Sequence, residues 1–334
     1  VISHLRRWVA VAGVSGHTWR RWAFIGLKVA VAIGCLFALS RQVDPAGLRD
    51  TLMTIEPGWL FVAILLIALE VPLVAERWRL IVASLGHGMY RLPRRDLYAA
   101  NGFGQFAGQI LPSLAGDGVR AVMLRGLGVT LPHAAWSVAL DRALGVYTLF
   151  VIAFFTLHLP SGPDALGGYL EPIFLAVAVV TACGTLALPL LKPLGAYLET
   201  RPRLRLAGVA LTETHAAVLG RHLPLLFAIS VLVHVMTILC VYVLGRALTL
   251  HLPLSDAAVL MVCIMVVTLL PISISGWGVR ELAVTAFLTG HGASAEQALL
   301  FSVTFGLVVM VATIPGAIHW LLQRNAPLQS VESK

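Results

Sequence analysis

The chain has 334 residues, of which 58% are hydrophobic and 12% charged, and it carries a formal net charge of +8; its mean hydropathy is +0.88. So little polar surface cannot coat a water-soluble globule of this length. The arginines fall in the connections between apolar segments rather than on one face, which reads as membrane topology and not as a nucleic-acid footprint.

Several apolar stretches reach the roughly 20 residues that a spanning helix needs, and no alternation of period two suggests a barrel. The expected class is an all-α polytopic membrane protein. Cys35, Cys183, Cys240 and Cys263 lie far apart in apolar segments without metal-ligand spacing, so neither a disulfide framework nor a bound metal is expected. No cofactor is expected either.

Arg6, Arg7, Arg20 and Arg21 precede the first apolar run. Lys28 interrupts that run and no small-x-small cleavage site follows it, so an uncleaved first span over 22–40 is predicted. The second span, 57–76, holds Glu70 just before Pro72 and ends in Arg77-Trp78-Arg79, two cations and an indole suited to the headgroup zone. With Arg91, Arg94 and Arg95 following, that side is predicted to be cytoplasmic.

Residues 97–111 would make a helix of only about 22 Å, and they include Asn101, Gln105, Gln109 and glycines. Leu111-Pro112 then stops the helix, and 119–127 is again too short to cross. The pair is predicted to be a re-entrant hairpin, whose irregular turn must be buried in protein or line a wet cavity. Spans follow at 133–159 and 169–191, then a basic connection over 192–222, then a span at 223–248. A second Leu-Pro break at Pro271 divides 255–270 from 279–290, and a last span covers 295–322.

This gives about six full spans and two re-entrant hairpins in a single membrane domain. Three full spans separate the hairpins, so the repeat halves, roughly 57–191 and 203–322, have opposite orientation. Both termini are predicted to be cytoplasmic. Inverted repeats of this kind place substrate near the midplane, at discontinuous helices.

The breaks themselves are alike. Residues 110–125 read ILPSLAGDGVRAVMLR and 270–281 read LPISISGWGVRE, so Leu-Pro followed by Gly-x-Gly-Val-Arg occurs twice. Pro112 and Pro271 are expected to act as hinges, each removing a backbone donor where its helix must stop.

A charge at the bilayer centre costs about 2.5–3.5 kcal/mol on insertion scales, so Asp117, Arg120, Asp141, Arg142, Arg280 and Glu281 call for a reason. One reason is mutual pairing that pins helices together. The other is a headgroup site in which Arg120 and Arg280 share a cavity and grip a phosphate through their planar forks. Helix restarts at Val119 and Val279 would add positive N-terminal ends. Glu70 reads as a counter-ion, a proton carrier or a packing partner for an arginine. Arg125 is free to snorkel outward, and His234 suits a hydrogen-bonded helix contact.

Phosphate-loop, zinc-helix and nucleophile-elbow motifs are absent from the sequence, so neither ATP hydrolysis nor another recognisable catalytic activity is expected. The motifs that are present resemble a known family, the lysylphosphatidylglycerol synthase transmembrane region or flippase-like domain. The resemblance spans about 43–322 and rests on Arg77-Trp78-Arg79-Leu80, Leu111-Pro112 through Val119-Arg120, Ser137 with Asp141-Arg142, and Leu270-Pro271 through Glu281. Ala115 and Ser275 depart from the family's usual glycines while staying small.

The resemblance implies re-entrant helices and movement of lipids, in the family's best-understood members aminoacylated phosphatidylglycerol, across the bacterial inner membrane; with the embedded arginines, the expected cargo is an anionic phospho- or glycolipid. Nothing after Leu322 matches an aminoacyl-transferase domain, so lipid aminoacylation is not expected. Two other readings stay open: an intramembrane lipid-linked transferase with Asp117 or Asp141 as base, and a non-transporting scaffold beside lipid-biosynthesis enzymes. A homo-oligomer fits either.

Overall fold

The computed structural model describes residues 43–85, 92–110, 115–156, 170–269 and 276–323, with scattered positions between 26 and 41. Among them run twelve helices and no strand. They are α1 (Pro45–Met53), α2 (Pro57–Ser84), α3 (Arg94–Ile110), α4 (Ala115–Gly126), α5 (Leu131–Thr156), α6 (Leu170–Ala187), α7 (Leu191–Glu199), α8 (Arg205–Val218), α9 (Leu223–Ala247), α10 (Leu254–Leu269), α11 (Val279–Gly290) and α12 (Ala295–Gln323). A single 3-10 turn, Leu188–Leu190, joins α6 to α7.

Among the described residues, five segments are long and apolar enough to cross a membrane: Pro57–Ser84, Leu131–Thr156, Ala176–Glu199, Leu223–Ala247 and Ala295–Trp320. The sixth expected span, 22–40, lies mostly outside the described residues. Two pairs of shorter helices separate the long ones. The 17 residues of α3 and 12 of α4, like the 16 of α10 and 12 of α11, give lengths of about 18–26 Å, short of a bilayer core of about 30 Å. The Leu-Pro breaks between the members of each pair, with Pro112 and Pro271, lie outside the described residues.

Local chemistry fixes the start of α1. Asp44 caps α1 by accepting from the Gly47 N–H at 3.1 Å, and Pro45 opens the helix. The Asp44 N–H in turn donates to Glu296 Oε1 at 3.0 Å, which ties α1 to the start of α12. Helix α2 continues through Pro72, and Asn101 of α3 donates to the neighbouring Val71 carbonyl at 3.2 Å.

The broadest contacts run between the two halves of the chain: α2 lies along α9 and α3 along α12. The main apolar core is filled by α9, α10, α11 and α12 with contributions from α2 and α5; Cys240, Leu244, Leu260, Met261 and Phe301 are fully enclosed there. A second apolar cluster around Trp78, Leu97, Leu124 and Val138 seats the α3–α4 pair against α2 and α5. The outward faces stay apolar, with Phe61, Leu65 and Leu69 on α2 and Leu307, Val311 and Ile318 on α12 exposed. Such a surface suits lipid rather than water.

At the α3–α12 crossing, Gly102 faces Gly316. A Cβ on Gly102 would stand 2.7 Å from the Gly316 Cα, and one on Gly316 2.6 Å from the Gly102 Cα. Without a hydrophobic force between helices in lipid, close approach of this kind supplies the packing attraction. Gly316→Leu is therefore expected to force the helices apart and lower stability by about 1–3 kcal/mol, read as a lower thermal midpoint in detergent. An unchanged midpoint would mean that the crossing is not a close-packed contact.

Candidate functional site

Seven polar or charged side chains from four helices meet around the carboxylate of Asp141. Ser137, Asp141 and Gly145 recur every fourth residue on α5 and share one of its faces. Asp141 is 1% exposed. Its Oδ1 accepts from Arg77 Nε of α2 at 2.8 Å, and its Oδ2 from Arg120 Nη2 of α4 at 2.9 Å.

Arg77 continues to α9, where its Nη1 donates to Ser230 Oγ at 3.1 Å; the Ser230 hydroxyl is already committed to the Leu226 carbonyl, so it accepts here. Gly145 leaves ordinary contact space beside that guanidinium.

Arg120 reaches Asp141 because α3 and α4 touch backbone to backbone. A Cβ on Gly116 would stand 2.6 Å from the Gly104 carbonyl oxygen and 2.7 Å from the Gly108 Cα, and one on Gly104 would overlap Arg120 Cγ. The guanidinium then lies 4.3 Å from the Trp78 ring, a cation–π contact. Trp78 is held in turn by its Nε1 donating to Ser137 Oγ at 3.1 Å. Arg120 Nε is buried and has no hydrogen-bond partner among the described residues.

The outer part of the network is Asp117 with Arg142. Arg142 Nε lies 3.0 and 2.9 Å from the two Asp117 oxygens, and Arg120 Nη1 stands 3.7 Å from Asp117. The side chain of Arg142 is 58% exposed, against 4% for Arg120. Three guanidinium groups thus meet two carboxylates, leaving one surplus positive charge.

The second cluster is built at the start of α11. Gly276 and Gly278 take φ of +83° and +89°, which only glycine adopts readily, and they turn the chain into the helix. Glu281 reaches back to accept the Gly278 N–H, as a capping-box glutamate does. It also takes Arg280 Nη2 at 2.7 Å, and the Ser302 hydroxyl of α12 at 3.1 Å. Arg280 lies 4.6 Å from the Trp277 ring, in space that a Cβ on Gly306 would invade. Glu281 is 0% exposed and Arg280 3%. This pair is neutral.

The two sites share one recipe: an arginine with an indole on its face, a glycine making room, a carboxylate across from it and a serine beside them. They differ in register. α11 begins at Val279, as the sequence predicts, whereas α4 is already helical at Ala115, four residues before the predicted restart at Val119. Arg120 therefore sits beyond the first turn, where the helix dipole has faded. No hydrogen bond or ion pair among the described residues joins the two clusters.

Glu70 faces a hydroxyl rather than an arginine. Thr237 Oγ1 lies 2.9 Å from Glu70 Oε1, so Glu70 and Arg77 of α2, seven residues apart, face Thr237 and Ser230 of α9, also seven apart. His234 Nε2 donates to the Gly145 carbonyl at 3.0 Å. Arg125 is exposed in the last turn of α4.

Sequence reasoning missed the inward turn of Arg77 and Trp78. Both suit a headgroup zone by composition, yet they are 6% and 0% exposed, and only Arg79 stays half-buried, paired with Glu76 at 2.6 Å. The heptad spacing of Glu70 and Arg77 was the signal available.

Cutting one member from a buried ion network strands the others, at a cost of about 3–5 kcal/mol; losing a neutral hydrogen-bond partner costs closer to 1 kcal/mol. Asp141→Asn is expected to lower the thermal midpoint far more than Ser137→Ala. Equal losses would place the weight of the network on packing instead of charge.

The family model described as the lysylphosphatidylglycerol synthase TM region matches the chain over residues 25–316. No curated protein and no solved structure matches it.

Proposed function

Since the chain belongs to the lysylphosphatidylglycerol synthase TM region family, a multi-pass membrane family with a lipid-related role, we propose that it moves an anionic phospho- or glycolipid across the bacterial inner membrane. The observation that carries this reading is the surplus cation of the Asp141 network. Its exposed edge is Arg142, and its buried centre holds Arg120 Nε, which has no partner among the described residues.

An arriving phosphate would compete with Asp117 for Arg142, then complete the partners of Arg120 through charge-assisted hydrogen bonds. The planar forks of Arg142 and Arg120 suit a phosphate geometrically as well as electrostatically. Arg280 with Glu281 would serve as the equivalent grip in the other half, where Glu281 must give way before a headgroup binds. A headgroup that binds the inward- and outward-facing forms unequally shifts their populations by that difference in affinity.

In this reading the α3–α4 and α10–α11 pairs are re-entrant hairpins of an inverted repeat, both termini lie in the cytoplasm, and the first span over 22–40 completes six. Glu70, a carboxylate on α2 that accepts from the Thr237 hydroxyl, would carry a proton alongside the lipid.

Lipid exchange between leaflets of proteoliposomes tests the mechanism. Arg120→Lys keeps the charge but loses the fork; at about 1.5–3 kcal/mol for a charged hydrogen bond, exchange should fall by about ten- to a hundredfold. Arg142→Ala and Arg280→Ala should slow it comparably while the protein still elutes as a folded species. Exchange at the wild-type rate in all three would leave these arginines with structural pairing alone.

The topology is tested separately by Leu131→Cys and His251→Cys, each at an exposed position, in a background without the four native cysteines. Impermeant reagent added from one side should label only one of the two. Labelling of both from the same side rules out the opposed orientation of the halves.

A further inference from the structure

Helices α7 and α8 form a hairpin that the transport reading does not use. They pack backbone to backbone. A Cβ on Gly208 would stand 2.6 Å from the Glu199 nitrogen and 2.7 Å from the Gly195 carbonyl oxygen. Thr212 Oγ1 donates to Glu199 Oε1 across the hairpin at 2.8 Å.

One end of α8 is built into the bundle: Glu213 faces His133 at 3.1 Å, Trp136 Nε1 donates to Thr214 Oγ1 at 3.1 Å, and Ala217 is enclosed beside Leu80 and Leu226. The other end projects. There Leu206 is 85% exposed, Tyr197 56% and Leu204 48%, and Arg201, Arg203 and Arg205 are all exposed among them. Tyr197, Arg201, Pro202, Arg203 and Leu204 line an open recess of about 600 Å³. Glu199 is the only carboxylate between 191 and 206.

Large apolar side chains bare at the tip of a two-helix arm lose free energy in water. Arginines interleaved with them rule out an apolar slot in a protein core. The mixture fits one environment, the boundary between lipid headgroups and acyl chains, where leucine and tyrosine are buried and arginine stems follow them while the guanidinium groups stay at phosphate level. The arm also continues directly from α6 within an apolar segment of spanning length, which delivers it to a membrane surface. It belongs to the end of the bundle where α2 finishes and α5 and α9 begin, the same end as Arg79 and Arg94.

We infer that the α7–α8 tip is a surface anchor that dips into the membrane interface and prefers anionic lipid. Arg201, Arg203 and Arg205 supply the charge selection, and Leu204 and Leu206 the insertion.

The test uses the full chain without native cysteines, carrying Leu206→Cys labelled with an environment-sensitive fluorophore, in nanodiscs of phosphatidylcholine with or without phosphatidylglycerol. The expected result is blue-shifted emission and protection from aqueous iodide when phosphatidylglycerol is present. Both should diminish in 1 M salt, where the screening length is about 3 Å. Each arginine changed to glutamine should weaken association of the tip with the surface by about fivefold, and R201Q/R203Q/R205Q should return the probe to water-like emission. Water-like emission with full iodide access in both discs overturns the anchor and leaves the tip to a protein partner. An equal, salt-insensitive blue shift in both discs overturns the preference for anionic lipid.

Discussion

One buried carboxylate holds two guanidinium groups. Asp141 accepts from Arg77 at 2.8 Å and from Arg120 at 2.9 Å, with scarcely any access to solvent. In such surroundings an isolated charge is costly, and its cost is met only by partners in good geometry with their remaining donors satisfied. That requirement fixes the rotation of three helices at once. α5 must present Asp141, α2 must turn Arg77 toward it, and α4 must bring Arg120 from the other side; Ser230 extends the constraint to α9. The fold around the site is therefore a consequence of neutralising one buried group.

The geometry is possible only because glycine replaces side chains at the contacts. Gly104 and Gly116 let α3 and α4 meet at backbone distance, so Arg120 lies flat between Gly104 and the Trp78 ring. Gly306 does the same for Arg280 under Trp277. In both clusters an indole, a glycine, a carboxylate and a serine surround one arginine, although the four come from differently placed elements. Glu281 is adjacent in sequence to its arginine, and neighbours on a helix do not ordinarily face each other. It manages this at the first turn by folding back to the Gly278 N–H. Asp141 comes instead from a separate helix.

Much of this was legible in the sequence. Hydropathy and length identify the long apolar helices, and the short pairs flanking each Leu-Pro break follow from the same count of residues. Embedded charge points to Asp117, Arg120, Asp141, Arg142, Arg280 and Glu281, and the structure brings the first four into one network and the last two into another. Arg77 escaped because a cation at the end of an apolar run can either snorkel outward or turn in, and sequence does not give helix rotation. Only its register with Glu70, matched by Ser230 and Thr237 on α9, carries that information. The recurrence of Gly-x-Gly-Val-Arg was informative about place but misleading about register: in one copy the glycines form a turn with positive φ, in the other they lie within the helix.

The charge balance separates the two clusters further. Arg280 and Glu281 neutralise each other within one helix turn, so moving α11 as a body leaves the pair intact. The Asp141 network spans several helices, so moving α4 away from α5 must break Arg120 from Asp141. Arg77 would still neutralise Asp141 if that happened, because it bonds the other carboxylate oxygen. The same motion parts Asp117 from Arg142, so Asp117, 3.7 Å from Arg120 on the same helix, is left to neutralise Arg120, and the cation without a counter-charge is Arg142 on α5. By charge count, one further negative charge would balance the three guanidinium groups against their two carboxylates. Under the transport proposal, a headgroup phosphate paired with Arg142 would offset that charge, so occupancy of the site and separation of α4 from α5 would be coupled.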